Sequence, residues 1–499
     1  MATTRSARTL ATAAATAAGT VLLPPRVAIV GAGPAGFYTA HRLLKAHATL
    51  EIDLYERLPA PFGLVRYGVA PDHPDVKNVI HKFQEVAASP RMAYMGNVAV
   101  GNLGHSGNNQ NKIALSDLAA RYSAVVVSTG ATAADRSLGV PGEHELRGVY
   151  SARAFVGWYN GHPDFADLHP DLDSIDSTTA VVVGQGNVAL DVARILLTPT
   201  TTLRGTDVAI HAVDALAQSR IRKVQIVGRR GPAQAAFTAK EMRELAALRT
   251  ADPPVEAVVD AGLVAAARAT WAAGLAKDRA RSRLMGILET IAASGGASVG
   301  SGSRQWSLDF QLSPRAFLPS VSDPTRLGAV EWTENALSGP VTAQHPDSAR
   351  ATATAAIRTT NNVALAVTSI GYRAEPLDDL LPFDARSGTV PCDPVGRAVG
   401  VDRVYVAGWA KRGPTGVIAS TMRDAYETAD AVAADLAIPE QSTSVVVSRS
   451  SILRWLAQDR GIQVVDWRAW EAIAAYEKDK LGGAKVVRVP DMLRIAFPG

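Results

Sequence analysis

Two glycine fingerprints on one chain constrain its fold more than any other feature. The first lies in VAIVGAGPAGFYTA, residues 27–40, where Gly31, Gly33 and Gly36 stand in G-x-G-x-x-G order. The second lies in AVVVGQGNVALDVA, residues 180–193, with Gly184, Gly186 and Ala189 in G-x-G-x-x-A order. Such a motif is weak alone, so its flanks decide. RVAIV (26–30) reads as a buried parallel strand and residues 35–46 as a helix. The first glycine makes the tight turn, the second lets backbone approach a pyrophosphate, and the third packs helix on strand. The helix N-terminus then offers free N–H groups and a positive dipole end to phosphates.

The two motifs part company at their second strands. LEIDLYE ends at Glu56, 20 residues after Gly36, where an acid accepts from ribose hydroxyls. VQIVGRRGP (224–232) instead carries Arg229 and Arg230. Guanidinium forks match phosphate oxygens, so this pair suits a 2′-phosphate. The first site therefore reads as FAD-binding and the second as NADP-binding. The long gap from Ala189 to Arg229 implies an inserted helix or loop at about 198–222. The expected fold is α/β, with two Rossmann-like nucleotide-binding domains and the NADP domain inserted into a discontinuous FAD domain.

Longer runs carry a family resemblance. They are PFGLVRYGVAPDHPDVKNVI (61–80), SARAFVGWYNG (151–161), GQGNVALDVARILLTP (184–199), VGRRGP with FTAKEMREL (237–245), and GWAKRGPTGVIASTM (408–422). From about residue 26 onward the chain resembles the adrenodoxin reductases, the mitochondrial ferredoxin–NADP⁺ reductases. The resemblance implies an enzyme that passes a hydride from NADPH to flavin N5, then single electrons to an acidic 2Fe–2S ferredoxin. It implies FAD contacts at Ala35, Glu56, Leu64, Val100, Trp409, Gly416, Val417 and Ile418, beside Gly31, Gly33 and Gly36. It implies NADP contacts at Gln185, Gly186, Asn187, Val188, Arg229, Arg230 and Glu241, with Gly416 near both cofactors. His73 and Glu244 match polar groups near the flavin–nicotinamide junction, and Asp191 is a further candidate there. For His73 a structural role stands beside a proton-relay one. Lys45, Arg243, Arg279 and Arg283 match ferredoxin-docking positions. The last two lie one helical turn apart, so they share a helix face.

Composition excludes several classes. With 499 residues and a net charge of +4, the chain is no nucleic-acid binder by bulk charge. Its one cysteine, Cys392, excludes an internal disulfide, a redox dithiol and a cluster of its own. No metal site is expected. The first 25 residues hold no acid but include Arg5 and Arg8, and are rich in Ala and Thr. They read as an organelle transit peptide, with a disordered tail or a chloroplast address as alternatives. The expectation is a monomer in the mitochondrial matrix, soluble or peripheral to the inner membrane.

Along the chain, residues 26–130 are expected to form the first part of the FAD domain, 131–370 the NADP domain, and 371–499 the second part with a C-terminal helical segment. GNLGHSGNNQN (101–111) and ASGGASVGSGS (293–303) read as loops. Residues 255–295 read as Ala-rich helix. Strands are expected at 307–313, 328–334 and 364–372, with 339–362 weakly patterned and of variable order. Two other function classes share the double fingerprint: an NADPH-dependent flavin monooxygenase and a non-catalytic flavoprotein module.

Overall fold

The computed structural model describes residues 24–102, 111–131, 134–294, 303–338, 346–438 and 447–498. Most of the proposed transit segment, most of the 101–111 loop and the glycine-serine stretch at 295–302 lie outside the described residues. Two parallel sheets organise the rest. One has five strands in the order Val404–Val406, Ala124–Val127, Arg26–Val30, Glu51–Tyr55, Met92–Met95. The other has six, in the order Val255–Val259, Arg304–Phe310, Lys223–Gly228, Thr179–Val183, Val363–Thr368, Val149–Ser151. Covered on both faces, the central strands are apolar throughout: Val27, Ala28 and Ile29, like Ala180, Val181 and Val182, have no exposed surface.

The five-stranded sheet draws its outer strand from residue 404 onward, after the chain has built the whole six-stranded sheet. The two crossings pair with each other, Tyr372–Arg373 running antiparallel to Ala134–Asp135. Arg153 holds this ribbon through two bonds to Asp135, 3.0 and 3.1 Å long. Each fingerprint opens its helix at once: Pro34–Ala46 packs on the long helix Ile418–Leu436, and Asn187–Leu197 follows the second.

Several sequence expectations need correction. Residues 255–259 are a strand at the edge of the six-stranded sheet, not helix; helices occupy Ala261–Thr270, Ala272–Lys277 and Arg279–Ser294. The β-branched run in VEAVV outweighs the alanines around it. The segment 307–313 breaks at Gln311 (φ +59), which ends Arg304–Phe310 and starts Leu312–Pro319 in a different sheet. The weakly patterned stretch contains a regular strand, Arg350–Asn361, antiparallel to Leu327–Ser338. It shows no apolar alternation because nearly all its side chains face solvent; the ladder to its neighbour supplies its order. The last expected strand stops at Thr368. The inserted region before Arg229 holds the short helices Thr200–Leu203 and Ile210–Ala217.

The C-terminal helices Arg449–Arg454, Trp467–Lys480 and Val489–Ala496 pack onto the five-stranded unit. Trp467 and Trp470 meet Phe62 edge-on, and Phe62 in turn lies near Phe37 of the first fingerprint helix. Glu477 makes a buried ion pair with Arg66 of the PFGLVRYG loop. The tail thereby fixes the loop that lies over the first fingerprint.

Candidate functional site: two nucleotide turns and a charged junction

At the first turn, a Cβ on Gly31 would lie 2.6 Å from the Ser128 carbonyl oxygen, and one on Gly36 2.1 Å from that of Gly31. Both positions are closed to any side chain. Gly33 differs: nothing lies within 4 Å of its Cβ position. That opening, at the N-terminus of Pro34–Ala46, is the space a pyrophosphate needs. Phe62 N donates to the Ala32 carbonyl at 2.8 Å, so the PFGLVRYG loop rims the opening and Leu64 starts its single helical turn there. The Glu56 carboxylate accepts from Ala32 N (3.0 Å) and Leu58 N (3.2 Å), while burial pushes its carboxyl up. Val100 is buried in the short strand Ala99–Val100. Trp409 opens a single helical turn, its indole N–H held by the Thr415 carbonyl at 3.0 Å. Gly416 and Val417 are exposed, and Ile418 begins the long helix.

The second turn repeats the plan. A Cβ on Gly184 would meet the Ser369 carbonyl oxygen at 2.1 Å, and Gly186 faces open space. Ala189 is fully buried in the third position. Gln185 donates to the Asp309 carbonyl (3.1 Å), and Asn187 Oδ1 accepts from Thr238 N (2.8 Å), the cap of helix Ala239–Ala247. Val188 is half-buried on the first turn of its helix. Arg229 is exposed and Arg230 half-buried. Among the described residues, the acid within ion-pair reach of Arg230 is Asp347, 3.9 Å away. Asn335 donates to the Arg229 carbonyl (3.1 Å), so the antiparallel ribbon missed at 350–361 belongs to the support beneath this pair.

The two units meet at a charged junction. His73, from the loop of the five-stranded unit, lies 2.7 Å from Glu244 Oε2 and 3.9 Å from Glu241 Oε2. Arg194, with a side chain only 4% exposed, binds Asp72 through Nε (2.5 Å) and Nη2 (3.0 Å), and Asp191 through Nη2 (2.8 Å). Its Nη1 faces Glu241 at 3.6 Å, and neither that atom nor Glu241 Oε2 has a hydrogen-bond partner among the described residues. Burial, then Asp191 and Glu244, push the Glu241 carboxyl up to about 7. Burial likewise raises Asp191. Burial also acts on Asp72, but its bonds to Arg194 hold it below the usual carboxylate range. His73, Asp191 and Glu241 each offer one ligand atom within 4.8 Å of the others. The Arg194 guanidinium already brings to these carboxylates the charge a cation would supply.

Thus His73, Glu244, Asp191 and Glu241 gather in one place. No hydrogen bond or ion pair joins Glu241 to Arg229 or Arg230 among the described residues. Sequence reasoning missed Asp72 and Arg194. The only signals were the acid preceding His73 in APDHP and the i, i+3 spacing of Asp191 and Arg194. It also missed a second strap, in which the buried Lys485 and the half-buried Lys77 both bind Asp207 (3.0 and 2.6 Å).

The four basic candidates divide. Arg243 is exposed on Ala239–Ala247, and Arg279 and Arg283 are exposed on Arg279–Ser294, a helix packed against it. Lys45 is exposed in the last turn of the first fingerprint helix, in the other unit. Among the described residues none of the four makes an ion pair.

Known proteins share this architecture. The profile of the pyridine nucleotide-disulphide oxidoreductases matches residues 25–275. The mitochondrial NADPH:adrenodoxin oxidoreductase of Bos taurus is 44% identical over 458 residues, covering 91% of this chain and 87% of that protein. That of Salvelinus fontinalis is 41% identical over 480 residues, covering 95% and 91%. The solved structure of Mycobacterium tuberculosis FprA in complex with NADPH superposes with a TM-score of 0.83 at 37% identity, covering 95% of this chain and 99% of that one. The chain belongs to the NADPH:adrenodoxin oxidoreductase family.

Proposed function

We propose that the chain is an NADPH:ferredoxin oxidoreductase, with FAD at the first turn and NADPH at the second. The observation that carries the reading is the pair of open second-glycine positions, Gly33 and Gly186, on two sheets joined by a buried ionic junction. When bound, FAD supplies the conversion between a hydride pair and single electrons. The protein's own work is positioning and exclusion of water.

Gly33 and the start of Pro34–Ala46 receive the FAD pyrophosphate, and Glu56, oriented by two backbone N–H groups, accepts from its ribose. Gly186 and the start of Asn187–Leu197 receive the NADP pyrophosphate, while Arg229 and Arg230 grip the 2′-phosphate. Residues 26–130 with 371–499 serve the first cofactor and residues 131–370 the second. Arg194, through Asp72, ties the helix after Gly186 to the loop carrying His73. That contact sets how closely the two cofactors approach. His73, paired with Glu244, is the group at this junction suited to hold or move a proton. The exposed cations Arg243, Arg279 and Arg283, with Lys45, meet an acidic 2Fe–2S ferredoxin in a transient, salt-sensitive complex. The protein works as a monomer in the mitochondrion, as its relatives are named mitochondrial. No described helix is long and apolar enough to cross a membrane.

Anaerobic mixing with NADPH, followed by cytochrome c reduction with and without a 2Fe–2S ferredoxin, tests the proposal. A bleached flavin and ferredoxin-dependent reduction are expected. Bleaching without ferredoxin dependence would point to another acceptor, and no bleaching would refute the hydride step.

A further inference from the structure

The turn Trp409–Arg412 carries a charge imbalance that the reaction scheme leaves unused. It follows strand Val404–Val406 at the carboxyl edge of the five-stranded sheet, beside the first fingerprint. A Cβ on Gly408 would lie 2.6 Å from that of Ala35, so the turn presses on the opening of the fingerprint helix. Lys411 Nζ and Arg412 Nε each lie 3.2 Å from the same oxygen, Asp424 Oδ1. The other oxygen, Oδ2, accepts from Gly408 N at 2.6 Å. One carboxylate thus faces two cations, with the Lys411 side chain 8% exposed and that of Asp424 5%.

The geometry leaves donors unused. Lys411 Nζ and Arg412 Nε and Nη2 are buried and have no aligned hydrogen-bond partner among the described residues. An ion pair close in distance but poor in direction recovers little of what burial costs an ammonium or guanidinium. A net positive charge is therefore held in a poorly solvated place between Gly408 and Gly416. Arg412 also leans over the latter, its Nη1 4.0 Å from the Cβ position of Gly416.

We propose that Lys411 and Arg412, balanced by Asp424, are positioning and potential-setting residues that stabilise the negative charge FAD acquires on reduction. The proposal rests on the assignment of FAD to the first turn. Hydride transfer from NADPH yields NADP⁺ and leaves one added negative charge on the isoalloxazine, with no other reactant. A fixed positive charge in a region of low dielectric favours that product and raises the flavin's midpoint potential. Asp424 sets how much of the charge is felt, and through Gly408 N it also fixes the turn that presents Trp409.

The test is potentiometric titration of the FAD-loaded full-length protein and its variants. Lys411→Met, which removes a positive charge, lowers the two-electron reduction constant about tenfold, or about 30 mV. Asp424→Asn keeps an acceptor for Gly408 N, removes the negative charge, and moves the potential in the opposite direction. Lys411→Arg restores the native value. Arg412→Gln, at the more exposed cation, shifts the potential in the same sense as Lys411→Met and serves if that variant fails to fold. A role in packing alone would move all variants the same way, or change thermal stability and flavin affinity without this order of signs. Shifts of one sign, or none for both cation variants, would overturn the proposal. A native chain that purifies and reconstitutes without FAD would instead overturn the site assignment beneath it.

Discussion

The two nucleotide turns share one backbone plan and differ in what surrounds it. At the first, the candidate ribose acid is built in: Glu56 is held by two backbone N–H groups, the PFGLVRYG loop rims the turn, and C-terminal aromatics lock that loop. At the second, Arg229 is exposed and Arg230 half-buried with only a loose contact to Asp347 at 3.9 Å, and their carbonyls are held by Asn335 and Gln311 N. A site whose side chains are already satisfied suits a cofactor that stays. A site whose cations are at most loosely paired suits one that arrives, reacts and leaves, because those charges can turn to a phosphate each time. The third fingerprint positions follow the same division. Gly36 is wedged against the Gly31 carbonyl, whereas Ala189 already accommodates a methyl group.

The sharpest way to break this comparison is to exchange those third positions. Gly36→Ala places a methyl 2.1 Å from backbone that cannot retreat, and is expected to abolish flavin retention, read as flavin absorbance per protein. Ala189→Gly costs about 1 kcal/mol of helix stability and leaves NADPH reduction of the flavin near native. A Gly36→Ala protein that binds FAD normally would show that the first turn is not built around that contact.

Replacing both Arg229 and Arg230 by Ala attacks the second turn where it is open. Loss of charge-assisted bonds worth about 1.5–3 kcal/mol each raises the KM for NADPH at least about a hundredfold and leaves flavin content unchanged. The preference for NADPH over NADH collapses with it. Retention of that preference would remove the 2′-phosphate from this pair.

The junction between the turns titrates. The Glu241 carboxyl, pushed up to about 7 from the ordinary 4.5, binds its proton more tightly in the native than in the unfolded state. Stability on this account is fully present below about pH 4.5 and is lost as pH rises through about 7. Glu241→Gln should flatten that slope, by at most about 3 kcal/mol between pH 4.5 and 7.5, in urea melts at the two pH values. An unchanged slope would mean that Arg194 keeps Glu241 ionised throughout.

Much of this difference was legible in the sequence, because the candidate residues each stand directly after the second strand of their own glycine fingerprint. Glu56 follows Glu51–Tyr55 and the Arg229–Arg230 pair follows Lys223–Gly228, so local order alone points to them as candidates. The junction has no such address. Asp72 and Arg194 are 122 positions apart and His73 and Glu244 are 171 apart, so only the folded chain makes them neighbours. His73 and Glu244 were reached through long matching runs, and Arg194 not at all. The missed strands have a different cause. Arg350–Asn361 buries almost nothing, so no hydrophobic period marks it, and Val255–Val259 hides among alanines that favour helix.

The smallest expected effect concerns the exposed faces beyond the turns. Arg279 and Arg283 lie one helical turn apart, exposed and unpaired among the described residues, on a helix that packs against the one carrying Arg243. Unpaired like charges on packed helices repel, so the fold gains nothing from their grouping and an anionic partner gains a complementary face. Reversing both to Glu should lower ferredoxin-dependent cytochrome c reduction about tenfold at low salt, through slower association. Reduction of a small artificial acceptor by NADPH should be unaffected, since neither turn is touched. The deficit should shrink as salt rises, because screening removes the native advantage and the new repulsion together. A deficit that persists undiminished in high salt would mean that the helix contributes packing rather than charge. No deficit at low salt would move the docking face elsewhere, toward Lys45 at the end of the first fingerprint helix, and would place electron exit on the unit that holds the flavin.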